Sequence, residues 1–216
     1  MKIGVIILTR AKFGRWPDKV LFTLQGVTIL EHVIRKSKTL NVDTVIVSTT
    51  ENQEDQIIRN IAWDQGVEIS RGEPDDRTAR ICKAITEYNL DYVVSLTACQ
   101  LFFDVEYANI LIGALHKNPD RDIYGITYHS NNCVPGIFKA TLPFQSNQND
   151  QEIYCGEFNT SYKHWQFWEP EVRNRYLFDC NIAYKIQADN HRRICEHLGH
   201  FPENYEEVTK ALLTIE

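Results

Sequence analysis

No apolar run in this 216-residue chain approaches the roughly 20 residues needed to cross a bilayer. The first apolar stretch, Ile3 to Leu8, turns polar too soon to act as a secretory signal. The sequence therefore reads as cytoplasmic, with no membrane partner. Six cysteines (Cys82, Cys99, Cys133, Cys155, Cys180 and Cys195) show no C-x-x-C spacing. That pattern excludes an ordinary structural zinc site and, in a reducing compartment, argues against a disulfide framework. The seven histidines have no metal-ligand spacing either. Internal repeats, heptads and low-complexity tracts are missing. Cations are in short supply: 23 Lys and Arg against 29 Asp and Glu give a net charge of -6. A general nucleic-acid binder needs the opposite balance.

What is present is an ordinary globular composition, 43% hydrophobic and 24% charged, sized for a single domain over residues 1–216. The first 130 residues alternate strand and helix patterns. Strands are expected at Ile3–Leu8, Thr44–Ser48, Val67–Ser70, Tyr92–Thr97 and Ile123–Tyr128. Helices are expected at Thr28–Lys38, Glu54–Trp63, Asp75–Tyr88 and Val105–His116. In the second of these Ile57, Ile58 and Ile61 should face inward, with Gly66 as a stop. Continuous apolar strands between helices predict a three-layer, Rossmann-like α/β fold with a mostly parallel sheet. Residues 130–178 break the pattern. They are rich in aromatics and amides and read as an irregular or antiparallel acceptor or dimerisation segment. Helices return at Ile186–Leu198 and Tyr205–Leu213.

Against the acidic background, four cations fall within a ten-residue window just after the first strand: Arg10, Lys12, Arg15 and Lys19. Arg offers forked donors and Lys a mobile point charge, a pairing suited to a polyphosphate. Open α/β sheets bind ligands beyond their strands' carboxyl ends. Three segments should meet there: residues 9–19, the turn at 71–76, and the loop at 97–104.

These segments carry a resemblance. TRAKFGRWPDKVL is similar to ARxxSTRLPGKVL of the spore-coat polysaccharide cytidylyltransferase-like family, relatives of the CMP-Kdo and CMP-sialate synthetases. GVTILEHVI resembles GxPxLEHVI, and RGEPDDRTAR resembles RGSEDDVLxR. VSLTACQLFFD resembles VRLTGDCPLID. The likeness covers residues 1–117 well and 177–198 weakly. It implies a nucleotide-diphospho-sugar transferase-like fold. The implied reaction moves CMP from CTP to a sugar or sugar acid, with release of pyrophosphate, for surface glycan synthesis. By the same resemblance Arg10, Arg15 and Lys19 hold the triphosphate as catalytic residues. Leu8, Arg71, Asp76 and Thr97 join them in nucleotide binding. Mg2+ is the implied cofactor, and a homodimer is implied through residues 130–178.

The departures from the family pattern leave alternatives open. Cys99 stands where the family has its metal-binding Asp, and a neutral thiol is a poor ligand for a hard cation. Asp18 replaces the Gly beside Lys19, and the carboxylates left for Mg2+ are Asp179 and Asp104. Asp179 reads equally as a structural hydrogen-bonding group. Asp75 and Asp76 read as helix-start acids ahead of catalytic ones. The chain is then either an active cytidylyltransferase with a weakened metal site or a nucleotide-binding homologue without turnover. A glycosyltransferase using a nucleotide sugar ranks third, because LTACQLFFD holds no D-x-D metal motif.

Overall fold

The computed structural model describes residues 1–12, 16–126, 133–141, 164–167 and 185–215. The first strand, β1 (Ile3–Leu8), is buried along its whole length. A 3-10 turn at Lys19–Leu21 follows, then a small hairpin of β2 (Thr23–Leu24) and β3 (Val27–Thr28). Next come α1 (Ile29–Ser37), β4 (Thr44–Thr50), α2 (Gln56–Asp64), β5 (Glu68–Gly72) and α3 (Arg77–Tyr88). The chain continues through β6 (Tyr92–Thr97), α4 (Val105–Lys117), β7 (Ile123–Ile126) and β8 (Gly136–Lys139). Strand β9 (His164–Phe167) and helices α5 (Lys185–Leu198) and α6 (Tyr205–Thr214) complete it.

The main sheet has the order β5-β4-β1-β6-β8-β7-β9. Every described neighbour pair is parallel except those made by β8, which runs antiparallel to β6 and β7. The chain winds outward from β1 through β4 to β5, then returns to β6 on the other side of β1. The winding therefore reverses between β1 and β6, which opens a crevice at their carboxyl ends. In register, Leu8 faces Ser48 on one side and Thr97 on the other.

Alternation sorts the strand residues between two cores. Ile3, Val5 and Ile7 join the large core with α1, α2, α4, α5 and α6. Ile6 and Leu8 face α3, meeting Ile81 and Ala84. In α1 the residues Ile29, Leu30, Val33 and Ile34 are fully buried, each worth about 1.5–3 kcal/mol of apolar transfer. A capping box starts that helix: Thr28 Oγ1 accepts from Glu31 N at 3.2 Å, and Glu31 Oε2 accepts from Thr28 N at 3.0 Å.

The expected three-layer α/β architecture is observed, with four differences in detail. The hairpin at 23–28 turns on two left-handed residues, Gln25 and Gly26 (φ 49° and 76°), a geometry suited to tight hairpins. Strand β8 breaks the parallel run. Ile57 is 43% exposed, whereas Ile58 and Ala62 are fully buried and Ile61 packs against the core, so the inward face is centred away from Ile57. Cys133 is disulfide-bonded, whereas Cys82, Cys99 and Cys195 are free, so the reading against disulfides fails at one cysteine. Most of residues 130–178 lie outside the described residues. The described pieces include β8, antiparallel to β6 and β7, and β9, parallel to β7. No helix among the described residues is long and apolar enough to cross a membrane.

One cation sits within the helical seam. Lys36 Nζ lies 5.0 Å from the centre of the Phe103 ring, an attractive placement for a cation. Burial pushes its pKa down from 10.5 to about 8, and Asp104 opposes the shift. Between those values the unfolded chain holds a proton that the folded one has lost, so this group favours folding more as pH rises. Lys36→Met should therefore change stability relative to the wild type most below pH 8, and least near pH 10.5. Urea midpoints of both proteins across that range check it, and a pH-independent difference would refute it.

Candidate functional site

The crevice between β1 and β6 is built by backbone first. Thr9 N donates to Ser48 O at 3.0 Å, and Ala98 N donates to Leu8 O at 3.0 Å. The exits of β4, β1 and β6 are thus stitched side by side. Thr97 N is held by Gln100 Oε1 at 2.7 Å, which turns the chain at Cys99.

The loop after β1 is held by one carboxylate. Asp55 is 1% exposed. Its Oδ1 accepts from Ala11 N at 2.7 Å, and its Oδ2 accepts from Thr49 Oγ1 at 3.0 Å and Thr50 N at 3.2 Å. The Thr50 hydroxyl donates to it as well. Further along, Asp18 N returns to Ala11 O at 2.8 Å. The loop is therefore closed at its base, and Lys19 emerges from that base. Asp18, with φ 58°, pairs with Lys12 at the outer rim and leaves Lys19 free of a neighbouring carboxylate bond.

A third segment arrives from β5. Arg10 Nη1 donates to Pro74 O at 2.5 Å and lies 3.4 Å from Asp75 Oδ1. Arg80, 3% exposed, donates from Nη1 to Glu73 O at 2.6 Å and to the same Pro74 carbonyl at 2.8 Å. Two guanidiniums thus share one acceptor. Burial first, then the charges of Arg10 and Arg77, push the Arg80 pKa down. On the β6 side, the Lys19 charge favours ionisation of the Cys99 thiol. Burial outweighs that help and raises the Cys99 pKa, so the thiol is neutral near pH 7.

Of the sequence-expected residues, Leu8, Arg10, Lys19 and Thr97 meet at this crevice. Asp76 stands beside it as the N-cap of α3, accepting from Ala79 N at 2.7 Å. Arg71 lies two strands from β1, with Nε donating to Thr50 O at 2.9 Å. It also lines a groove of about 450 Å3 along the outer edge of β5, with Trp63 and Lys83. Asp104 is 2% exposed and caps α4, its Oδ1 accepting from Tyr107 N at 3.2 Å. That capping bond gives its acid a structural role at the helix start. Arg15 and Asp179 lie outside the described residues. Sequence reasoning passed over Asp55 and Arg77 and gave Arg80 no role. A buried Asp after a Thr-Thr strand end was the one available signal for Asp55.

Of the two carboxylates expected to hold Mg2+, Asp179 lies outside the described residues and Asp104 serves as a helix cap. The crevice offers a neutral thiol flanked by cations, and no group of three His, Cys, Asp or Glu is placed to hold a metal ion. Hard cations need several oxygen ligands.

A doubly wound sheet with cations gathered at its switch-point crevice defines a nucleotidyltransferase-type α/β protein. Comparison with known proteins agrees. The sequence profile described as Cytidylyltransferase matches residues 4–207, and the chain belongs to that family. An uncharacterized protein of Methanocaldococcus jannaschii is 33% identical over 168 residues, covering 75% of this chain and 67% of the relative. The 3-deoxy-manno-octulosonate cytidylyltransferase of Fusobacterium nucleatum is 28% identical over 156 residues, covering 71% of this chain and 62% of the relative. Among solved structures, a cytidylyltransferase from Leptospira borgpetersenii superposes with TM-score 0.86 at 19% identity, covering 99% of this chain and 94% of that one. CMP:2-keto-3-deoxy-manno-octonic acid synthetase complexed with CTP superposes with TM-score 0.66 at 11% identity, over 91% and 99% of the two chains. These likenesses support the fold.

Because Asp55 joins the loop to β4, Asp55→Ala should strand two buried backbone donors and two hydroxyls. The expected loss of unfolding free energy is about 3 kcal/mol. Urea unfolding measures it, and a change below about 1 kcal/mol would show that the loop holds without this carboxylate.

Proposed function

We propose that this cytidylyltransferase transfers CMP from CTP to a sugar acid and releases pyrophosphate, in the synthesis of a surface glycan. The observation that carries the reading is the meeting of Arg10, Lys19 and Arg80 at the switch-point crevice of a chain belonging to this family. Such a transfer needs an acceptor oxygen placed in line with the α-phosphorus and charge neutralised on the leaving pyrophosphate. In our reading Lys19 and Arg10 hold the phosphates, with Arg15 completing the loop. Leu8 and Thr97 supply the strand-end floor under the nucleotide. The sugar-acid class is supported by the relative from Fusobacterium nucleatum. Members of this family generally use a divalent metal, and no step is assigned to one here because the described donors do not fit it. A homodimer through residues 130–178 belongs to the same reading. CTP supply places the work in the cytoplasm, against which the Cys133 disulfide stands as the one contrary feature.

A second reading, nucleotide binding without transfer, is favoured by one observation, the neutral Cys99 thiol at the crevice. Pyrophosphate release from CTP with a panel of sugar acids separates the two. Release with one acid supports transfer, and CTP binding with no release for any acid supports the second reading.

The cation assignment has its own test. Lys19→Ala should weaken CTP binding about 10- to 150-fold, the value of one charge-assisted contact. Lys12→Ala should change it much less, because Lys12 is exposed at the rim and paired with Asp18. Equal losses in a calorimetric titration would reveal a diffuse charged surface instead of a site.

A further inference from the structure

The turn that carries Lys19 is too short to hold its own shape. It spans Lys19–Leu21. Two backbone bonds close it, Leu21 N to Asp18 O at 2.9 Å and Phe22 N to Lys19 O at 3.1 Å. A single 3-10 turn is marginal without outside support. The support arrives at Phe22, the residue that ends the turn. Its ring meets the Trp16 ring edge-on, with centroids 5.2 Å apart and planes at 64°, a favoured aromatic geometry. Both rings are half-buried and pack against the large core. Residues 16 and 22 are thus pinned together, with Lys19 midway between them along the chain.

A further contact on Phe22 comes from α5, late in the sequence. The Arg192 guanidinium lies 4.6 Å from the centre of the Phe22 ring, within range of a cation–π attraction. Arg192 is itself held in place, with Nη1 donating to Asp189 Oδ1 at 3.2 Å. One turn further along α5, the Cys195 carbonyl accepts from Gln25 Nε2 of the hairpin at 3.2 Å. The neighbouring His191 ring stacks on Phe102 with centroids 4.6 Å apart, and Phe102 lies in the loop after β6. Consecutive residues of α5 therefore brace a ring from each wall of the crevice. One ring is Phe22, three residues after Lys19, and the other is Phe102, three residues after Cys99. An aliphatic side chain at 192 would only cover Phe22. A guanidinium tied to both Asp189 and the ring face also fixes where that ring sits.

Resting on the nucleotide reading above, we propose that Arg192 is a positioning residue: through Phe22 it fixes the turn that presents Lys19 to the phosphates. Arg192 acts through that ring and touches no substrate. A turn ordered in advance avoids the loss of freedom that a loose one would suffer on binding. Helix α5 is in this way part of the nucleotide site, although it contributes nothing to the crevice surface at Lys19.

The test is calorimetric titration of the full chain with CTP in MgCl2, with circular dichroism to confirm that each variant is folded. Arg192→Met keeps a long apolar stem and removes the charge. It should weaken CTP binding about 3- to 30-fold, the range of one cation–π contact. Phe22→Leu removes the other half of the contact and should cost a similar factor. It carries the same expectation alone if Arg192→Met does not fold. The double variant should bind within about twofold of the weaker single one, because both changes break one contact. Arg192→Lys restores a cation over the ring and should recover much of the affinity. Unchanged CTP affinity in folded Arg192→Met or Phe22→Leu, with Lys19→Ala still weakening it, would overturn the proposal and leave the nucleotide reading standing. Losses that multiply in the double variant, or no recovery in Arg192→Lys, would also overturn it. Failure of the wild type to bind CTP, or full affinity in Lys19→Ala, would overturn the reading and the proposal together.

Discussion

The crevice depends on a single buried carboxylate. Asp55 accepts from the loop after β1 at Ala11 and from the end of β4 at Thr49 and Thr50. A carboxylate has room for about four hydrogen bonds, and here they come from two segments far apart in sequence. Burying such a charge is costly unless its acceptor sites are filled. The filled set makes one arrangement of the loop far more favourable than its neighbours. With Ala11 fixed, the return bond from Asp18 N to Ala11 O closes the loop, and Lys19 follows at a defined place. The phosphate-facing cations are therefore positioned from beneath, by a residue that need not touch substrate.

The second level of organisation is the shared carbonyl of Pro74. Arg10 comes from the β1 exit and Arg80 from the first turns of α3, yet both donate to one oxygen. Like charges in contact destabilise each other unless something answers them. Part of the answer comes from the Glu73 carbonyl and Asp75. Fold stability and anion affinity pull in opposite directions here. The protein tolerates repulsion among its own side chains, and a bound polyphosphate would relieve it.

The periodic parts of the chain were legible in its sequence. Strands β1 and β6 fall where continuous apolar runs put them, because a strand covered on both faces leaves no polar position to blur its limits. Helix α1 starts at Ile29 after Thr28, since the T-x-x-E capping pattern is a local signal. What was not legible depended on distant partners. The hairpin at 23–28 rests on Gln25 holding a left-handed conformation, which the sequence Leu-Gln-Gly-Val does not announce. The antiparallel β8 pairs with β6 across some 40 residues. Within the site, Arg10 and Lys19 were legible as cations after a strand. Asp104 was ambiguous because an acid at a loop end serves a metal or a helix cap equally well by sequence; the structure shows the cap, in the bond from Tyr107 N. Asp55 was hidden because its value lies in Ala11, 44 residues away.

The charge balance of the whole chain fits this division of labour. With net charge -6, the general surface repels nucleotides and other polyanions. The crevice is the exception, and low-dielectric walls strengthen its field locally. A polyanion drawn to the crevice is then selected by charge before any base or sugar is read. The same contrast explains why Lys12 and Asp18 pair at the rim. A cation neutralised there adds little to the field of the crevice. Position in the fold, more than the number of cations in the loop, determines which of them meets a phosphate.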